Sequence, residues 1–107
     1  MSLQILAAHG LLNKDYVVIP VRSNTTANHK RHYAADTKNG VFNITLPEPA
    51  LPGFSVIVSD ASMSFDTNNL TVIGSRFRGT DGNYIIDTKG AVREFIWVGS
   101  GIGWMVC

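Results

Sequence analysis

The amino-acid sequence predicts an all-β protein, a single antiparallel β-sandwich or barrel, jelly-roll-like, with about eight short strands and an N-terminal arm. Three observations lead to this prediction. Short runs rich in Val, Ile, Thr and aromatic residues are separated by Gly, Asn, Asp and Pro, which is typical of strands joined by turns. Helical periodicity is nearly absent after the start of the chain. The length of 107 residues fits one hydrophobic core, so no second domain is expected.

Residues 1–15 are predicted to form an N-terminal arm ahead of a β domain at residues 16–107. Leu3, Leu6 and Ala7 follow helical spacing, whereas the segment that opens the β domain has the pattern of a strand. The apolar stretch lacks a basic leader and is much shorter than the roughly 20 residues that a bilayer span requires, so we expect neither a signal peptide nor a membrane anchor. Such an arm either closes its own domain or docks on a neighbouring subunit.

The predicted strands lie at residues 16–21, 32–36, 41–46, 55–59, 70–74, 84–87, 91–98 and 103–107. Short strands at this spacing favour a sandwich or barrel over a single open sheet. Phe42, Ile44 and Leu46 alternate with polar residues, so this strand is expected to have one face in the core and one face in water. Segments 54–58 and 95–98 are apolar on both faces, which favours central strands or strands that a partner subunit covers again.

Glycine marks several turns between these strands. Asn39-Gly40 and Lys89-Gly90 lie between predicted strands, and their tolerance of positive φ predicts tight hairpin turns. The glycine-rich segment 98–103 joins two strands and does not open a helix, so it predicts a flexible hairpin loop and not a phosphate-binding loop.

Three prolines and a glycine separate two predicted strands in the segment LPEPALPGF, residues 46–54. Proline fixes φ and has no amide proton, so Pro47, Pro49 and Pro52 are excluded from a central strand. Pro52-Gly53 suits a type II turn. We expect the chain to leave one sheet before this segment and to enter a second sheet after it, at a corner that is rigid because proline has few unfolded conformations to lose.

The charge of the chain is small and almost balanced. Nine basic and eight acidic residues give a net charge of +1, which predicts binding neither to nucleic acid nor to an anionic membrane. Charged residues make up 16% of the chain, and such a lightly charged surface is compatible with packing against other subunits. The basic residues cluster at His29, Lys30, Arg31 and His32 and at Arg76 and Arg78. The first cluster suits either contact with an acidic partner or a solvated turn before a strand.

Reactive residues do not form an evident constellation in the sequence. The three histidines lack the spacing of zinc ligands, and no serine lies in a nucleophile elbow. Asp60 with Asp66 and Asp81 with Asp87 are candidate calcium ligands, but the same segments are ordinary turn sequences, because Asn and Asp side chains bond their own backbone. We therefore expect no catalytic residue, no metal and no cofactor. Cys107 is the sole cysteine, so an intrachain disulfide is excluded and synthesis in the cytoplasm is favoured.

Large aromatic residues near the end of the chain allow two interpretations. Tyr84, Trp97 and Trp104 are candidates for stacking on a sugar ring, as in carbohydrate-binding β-sandwiches. The alternative is packing in the core or in a subunit interface, because large aromatic side chains dominate both settings.

Several motifs follow one another along most of the chain. They are VFNITLP at 41–47, PGFSV at 52–56, DA at 60–61, FDTNNLTV at 65–72 and GWMV at 103–106, preceded by NTTA at 24–27 and YAADT at 33–37. Their order resembles a β module of structural proteins in tailed bacteriophages, and the likeness extends over residues 16–107. The segment 73–79 departs from the commoner pattern of that module, because Arg76 and Arg78 replace a small polar loop.

The resemblance implies a non-enzymatic part of a virion, made in the host cytoplasm. Because the module fills the chain and no fibre shaft accompanies it, the resemblance favours a homo-oligomeric capsid decoration (cement) protein on the outer head surface. Its expected partners are the major capsid protein and copies of itself, with no nucleic acid and no membrane. The expected contact residues are Leu3, Ile5 and Leu6 in the arm, His29, Lys30, Arg31 and His32, and Arg76 and Arg78.

The alternative within the same resemblance is a tail-fibre or tail-tip module, either an adhesin or a structural collar. An adhesin is expected to bind host-surface glycan through Tyr84, Trp97 or Trp104. A third class, a small hydrolase, has no catalytic constellation in the sequence to support it.

Overall fold

Eleven β-strands form the fold in the computed structural model, which describes residues 15–107. The strands are β1 (Val17–Val21), β2 (Thr25–Thr26), β3 (Arg31–Ala35), β4 (Phe42–Thr45), β5 (Ser55–Asp60), β6 (Leu70–Ile73), β7 (Arg76–Phe77), β8 (Thr80–Asp81), β9 (Tyr84–Ile86), β10 (Val92–Trp97) and β11 (Trp104–Val106). The described chain is all-β and has no helix. The predicted number of strands is too low, because β2, β7 and β8 have two residues each and are too short to show a periodic pattern.

The described strands form two sheets, a seven-stranded sheet in the order β1-β3-β5-β10-β11-β7-β8 and a four-stranded sheet in the order β2-β4-β6-β9. Both sheets are mixed. The parallel pairs are β1 with β3, β3 with β5, β2 with β4, β4 with β6 and β7 with β11. The prediction of antiparallel pairing is therefore wrong for these pairs. Hydrophobic alternation could not reveal the difference, since it looks the same in parallel and antiparallel strands.

The parallel pairs arise because the chain alternates between the two sheets. From β1 to β6, odd-numbered strands lie in the seven-stranded sheet and even-numbered strands lie in the four-stranded sheet. Each strand from β3 to β6 pairs in parallel with the strand two places before it. This half of the domain therefore winds as a coil, with one strand of each sheet in every turn. β9 and β10 close the coil by antiparallel pairing with β6 and β5.

The turns at Asn39-Gly40 and Lys89-Gly90 cross between the sheets. The first turn lies between β3 and β4, and the second lies between β9 and β10, so neither links two paired strands. The hairpins predicted at these positions are wrong. A glycine turn has the same sequence signal whether the next strand pairs with the last one or crosses to the other sheet.

Two other predicted connections are confirmed. The loop at residues 98–103 is a hairpin, since β10 and β11 are antiparallel neighbours. The proline segment carries the chain from β4 in the four-stranded sheet to β5 in the seven-stranded sheet. Within this segment the Phe54 N–H donates to the Leu51 carbonyl at 2.9 Å, and Gly53 lies at φ 95°, as a type II turn requires.

The hydrophobic core of the described residues receives side chains from both sheets. The seven-stranded sheet contributes Tyr33, Val56, Val58, Phe95 and Trp104, and the four-stranded sheet contributes Phe42, Ile44, Leu70, Val72 and Ile86. β4 is buried at every second residue, which confirms that one of its faces lies in the core. β5 and β10 lie side by side in the middle of the seven-stranded sheet, which confirms that the two fully apolar segments are central strands.

Proline lies at one edge of the seven-stranded sheet. The Val21 carbonyl accepts the Asp36 N–H at 2.9 Å, so in β1 the backbone groups of Val21 and of every second residue before it point toward β3. Pro20 therefore has its missing N–H on the side away from β3, where no other described strand pairs and where a strand tolerates proline. This side of β1 presents the carbonyls of Val18 and Pro20 but a single N–H, that of Val18, and the shortage of donors disfavours pairing with a further strand.

Candidate functional site

Two loops, residues 46–54 and 98–103, meet at one end of the seven-stranded sheet, and we call this surface the corner end. The Gly53 N–H donates to the Trp97 carbonyl at 2.9 Å, and the Trp97 N–H donates to the Phe54 carbonyl at 2.8 Å. These backbone hydrogen bonds tie the first loop to the strand that leads into the second. Since proline also restricts the first loop, the part of the corner end that residues 46–54 form is rigid.

The corner end exposes apolar side chains and very little charge. Leu51, Val98 and Ile102 are 65%, 47% and 45% exposed. Glu48 is the sole charged residue in the sequence of the two loops, and the Arg76 guanidinium borders the second loop through its hydrogen bond to the Gly101 carbonyl. An apolar surface with so few charges has the composition of the buried centre of a protein interface.

A cavity of about 180 Å³ opens beside the proline segment. Its lining comes from both sheets and from the loops that follow their strands, namely Leu46, Pro47, Glu48, Pro49, Ala50, Gly74, Ser75, Trp97 and Trp104. The volume is smaller than the roughly 300 to 1,000 Å³ of pockets for drug-sized ligands. A cavity of this size suits one inserted side chain or one sugar ring, with Glu48 and Ser75 as the charged and hydroxyl groups.

Trp97 and Trp104 meet edge to face in the wall of this cavity, with ring centroids 5.3 Å apart. Trp104 is 1% exposed and belongs to the core, whereas Trp97 is half-buried and packs against the core from outside. A Cβ at Gly74 would lie only 3.1 Å from the Trp104 ring, so the backbone approaches this ring closely. Trp97 is therefore the accessible ring of the pair, and Trp104 supports it.

Tyr84 lines a separate concavity of about 410 Å³, which we call the loop groove. The loop groove is formed by residues of β7, β8, β9 and their connections, namely Phe77, Arg78, Thr80, Asp81, Gly82, Asn83 and Tyr84. The Tyr84 ring packs against Phe77 and Phe95 at centroid distances of 5.7 and 5.6 Å, so its half-buried ring is held in place. The three aromatic candidates from the sequence thus divide between two concavities.

His29, Lys30 and Arg31 lie at the start of β3, beside the corner end. The His29 ring stacks on the Phe54 ring at a centroid distance of 4.5 Å, and its Nδ1 accepts the Ser55 N–H at 3.0 Å. Lys30 is exposed and lies at φ 61°, and Arg31 Nη1 donates to the His29 carbonyl at 3.4 Å. His29 therefore anchors this basic turn to the end of the proline segment.

His32 lies further along β3 and is half-buried. Its Nε2 lies 2.8 Å from Ser59 Oγ, within hydrogen-bonding distance. Burial lowers the pKa of the imidazole, so the ring is mainly neutral at pH 7. The predicted basic cluster therefore contains one histidine that packs on the sheet and adds little positive charge.

Arg76 and Arg78 lie beside the loop groove and differ in their partners. Arg76 Nε donates to Asp81 Oδ1 at 2.8 Å, and its Nη1 donates to the Gly101 carbonyl at 3.0 Å. Arg78 is exposed, and no salt bridge joins it to a carboxylate of residues 15–107. β7 lies four strand spacings from β3, or about 19 Å, so the two predicted basic groups do not form one surface.

The predicted contact residues of the arm, Leu3, Ile5 and Leu6, lie outside the described residues, as does the predicted arm apart from Asp15. Their role in contact stays a prediction. In the described part of the chain, no helix has the length and hydropathy needed to cross a membrane.

Asp60 is a buried carboxylate that joins two connections of the fold. It is 7% exposed, and it accepts the N–H groups of Ser64 and Phe65 at 3.0 Å and of Gly90 at 2.9 Å. Burial acts to raise the pKa of Asp60, but the hydrogen bonds together outweigh burial and hold the pKa below its usual value. Among residues 15–107, no three or more His, Cys, Asp and Glu side chains are grouped to hold a metal ion.

Sequence reasoning located the proline corner and the tryptophans but did not bring them together. Glu48, Leu51 and Ser75 were missed as members of a surface. The proline segment itself carried a usable signal, because a stiff, apolar and uncharged loop between strands suits burial against a partner. No protein-family model matches the chain, and no curated protein matches it at a significant level.

Proposed function

We propose that this protein is a non-enzymatic structural protein of a tailed-bacteriophage virion, a capsid decoration protein that binds the outer head shell and stabilises it. The corner end is the observation that carries the proposal, because its two loops combine a rigid proline segment with exposed apolar side chains and a single charged residue. Such a surface is suited to burial against another protein. The order of motifs along the chain, which resembles that of phage structural proteins, indicates the partner, the major capsid protein with neighbouring copies of this chain.

The rigidity of the corner end lowers the entropic cost of binding. Each flexible side chain that an interface immobilises costs roughly 0.5 to 1.5 kcal/mol, and ordering a mobile loop costs more. The prolines and the backbone hydrogen bonds at Trp97 already order residues 46–54 in the free protein, which lowers the entropic cost of ordering this loop on binding. Leu51, Val98 and Ile102 are each about half exposed or more, so burying them contributes about 1 to 2 kcal/mol apiece.

Binding at a boundary between capsid proteins stabilises the shell by mass action. A ligand that binds the assembled shell, and not its separated subunits, shifts the equilibrium toward the assembled state. At a free concentration 100 times Kd, the gain is about 2.7 kcal/mol per site. The inert β domain therefore serves as a clamp, and no chemical step is required of it.

We also infer that the two sheets pack face to face as a β-sandwich. The shared core supports this inference, since Tyr33 and Phe95 come from one sheet and Ile44 and Val72 come from the other. The parallel coil from β1 to β6 argues against the jelly-roll topology, in which strands pair antiparallel. We therefore propose a sandwich in which β1 to β6 form a coil that alternates between the two sheets. The corner end forms where the chain crosses from one sheet to the other.

The copy number per particle tests the location. Purified virions that contain this protein are expected to carry hundreds of copies by quantitative mass spectrometry, as the repeated sites of a head shell require. A dozen copies or fewer would indicate the tail and would overturn the decoration role.

Interface variants test the corner end itself. Leu51→Glu places a charge in this surface and is expected to abolish binding to heads that lack the protein. Met63→Glu is the matched control, because Met63 is 54% exposed and lies in the loop that follows β5, away from the corner end. Both variants should unfold at the temperature of the parent chain, since both side chains are exposed. Equal binding of the two variants to heads would contradict the proposed surface.

The cavity at Trp97 favours a second candidate function, a tail-fibre or tail-tip module that binds host-surface glycan. An accessible tryptophan ring beside a carboxylate and a hydroxyl group, those of Glu48 and Ser75, suits a single sugar ring. Trp97→Ala is then expected to abolish binding on a glycan array, while Met63→Glu leaves it unchanged. Glycan binding that depends on Trp97, together with a low copy number, would support this function over decoration.

A further inference from the structure

We propose that the loop groove binds an acidic sugar residue of a polysaccharide, and that Arg78 recognises the negative charge of that sugar. The groove has a volume of about 410 Å³, which lies within the range of ligand pockets. It is formed by β7, β8, β9 and their connections, so it is distinct from the cavity at Trp97. The inference goes beyond the proposed virion role, because it adds a ligand at a different surface.

The charges around the loop groove favour an anionic ligand. Among the described lining residues Asp81 is the sole acidic one, and its Oδ1 accepts the Arg76 Nε–H at 2.8 Å, so its charge is compensated. Arg78 has no carboxylate partner in the described part of the chain. One uncompensated guanidinium therefore lines the groove. Its planar set of N–H donors matches the two oxygens of a carboxylate.

The backbone of Arg78 supports a functional role for this side chain. Its φ is 51°, in the left-handed region that residues other than glycine rarely adopt. The Arg78 N–H donates to the Trp104 carbonyl at 2.9 Å, and the Gly79 N–H donates to the Ile102 carbonyl at 2.9 Å, so neighbouring segments impose this conformation. Glycine would adopt the same φ without strain, yet the position holds arginine. Lys30 and Met63 lie in the same region, at φ 61° and 58°, so the backbone supports a role for Arg78 only together with its place in the groove.

The remaining groups of the loop groove suit a sugar ring. The Tyr84 ring is half-buried and is held by Phe77 and Phe95, and the apolar face of a pyranose stacks on such a ring. Thr80 and Asn83 are exposed and supply a hydroxyl group and an amide for the sugar hydroxyls. A simple anion has no apolar face to stack on the Tyr84 ring, and a neutral sugar has no charge to pair with the Arg78 guanidinium. A sugar that carries a carboxylate interacts with both side chains.

A polymer is the expected source of this sugar. One ring in a shallow groove binds weakly, because few groups contact it. Many copies of the site on one particle convert weak binding into strong attachment to a repeating chain, by raising the effective concentration at each further site. This step alone rests on the proposed virion function, while binding at the single site does not.

The test is a titration of the purified chain with two probes, and NMR chemical shifts report the binding. Alginate oligosaccharides, which consist of uronic acids, are expected to shift the resonances of residues 77–84 in a saturable manner, and added salt should weaken the effect. Neutral maltooligosaccharides are expected to bind at least about tenfold more weakly, because they lack the charge that Arg78 pairs with.

Variants separate ligand recognition from stability. Arg78→Gly is expected to weaken alginate binding about tenfold or more without lowering the temperature of unfolding, because glycine relieves the strain at this position. Lys89→Gln removes an exposed cation outside the groove and should leave binding unchanged. Undiminished binding by Arg78→Gly would overturn the inference, as would equal binding of the neutral probe. Acetate that competes as tightly as the oligosaccharide would overturn the sugar component. None of these results depends on the copy number in virions, so this inference and the proposed function fail separately.

Discussion

Replacement of Asp60 is expected to destabilise the domain more than most single substitutions. The carboxylate accepts the N–H groups of Ser64, Phe65 and Gly90 at 2.9 to 3.0 Å, and Asp60→Ala removes all three hydrogen bonds. The Phe65 N–H is buried, and a buried donor without an acceptor costs about 1 to 3 kcal/mol. The other two donors are partly buried, so water can replace the carboxylate there at roughly 0.5 to 1 kcal/mol each.

The free energy of unfolding is therefore expected to fall by about 3 kcal/mol in Asp60→Ala. Asp60→Asn keeps one oxygen and turns an amide toward at least one donor, so about 1.5 to 2 kcal/mol is expected. Urea unfolding followed by tryptophan fluorescence measures both values, with a lower midpoint and an unchanged slope. Asp66→Asn, in the loop that follows β5, is the control, because Asp66 is exposed, and it should change stability by less than about 0.5 kcal/mol.

The contribution of Asp60 should also depend on pH in a defined direction. Its pKa in the folded state lies below the unfolded value of about 3.9, so the stabilisation is complete above that pH and is lost as the pH falls through the folded pKa. The difference in unfolding free energy between the parent chain and Asp60→Asn should therefore shrink in acid. A loss below about 1 kcal/mol in Asp60→Ala, or a difference that stays constant down to pH 2, would refute this account of Asp60.

Three further predictions concern the backbone, a histidine and a sheet edge. In thermal unfolding, Gly103→Ala should lower the unfolding free energy by more than about 2 kcal/mol, because Gly103 lies at φ 79° and a Cβ there would overlap the Arg76 carbonyl. Gly101→Ala is the control, because a Cβ at Gly101 meets open space and should cost little stability. Burial lowers the pKa of His32 in the folded state, so the domain should lose stability as the pH falls below the pKa of about 6.5 that the imidazole has in the unfolded chain. Urea titrations at pH 7 and pH 5 measure this loss, and His32→Gln should abolish it. Pro20→Thr adds an N–H to the side of β1 on which no described strand pairs, and it should promote self-association in sedimentation experiments. A variant that stays as dispersed as its parent at every concentration would contradict the role of Pro20.

Strand positions were predictable from the sequence, but strand partners were not. The alternation at residues 42–46 is a local property, so it identified both a strand and its buried face. The partner of a strand depends on where the chain goes after the turn, and Asn39-Gly40 has the same signal for a hairpin and for a crossing between sheets. The turn and strand patterns in the sequence therefore could not predict that the sheets are mixed.

The candidate site was predictable in its parts and not in its arrangement. The prolines of residues 46–54 indicated a rigid corner, because their effect on the backbone is local. The contact of this corner with Trp97 follows from the pairing of β5 with β10, which joins residues far apart in the chain. Trp97 and Trp104 both follow apolar strand patterns and lie opposite each other in β10 and β11, so the sequence did not distinguish the half-buried ring from the buried one.

The winding of β1 to β6 also affects how the domain responds to force. β3 is hydrogen bonded to β1 on one side and to β5 on the other, while β2 and β4, its neighbours in sequence, are bonded to each other in the other sheet. Tension applied at the N-terminal side of β1 meets the edge strands β1 and β2 first, and each of them has to separate from a single parallel partner, β3 or β4. Forced unfolding should therefore proceed in steps that alternate between the two sheets.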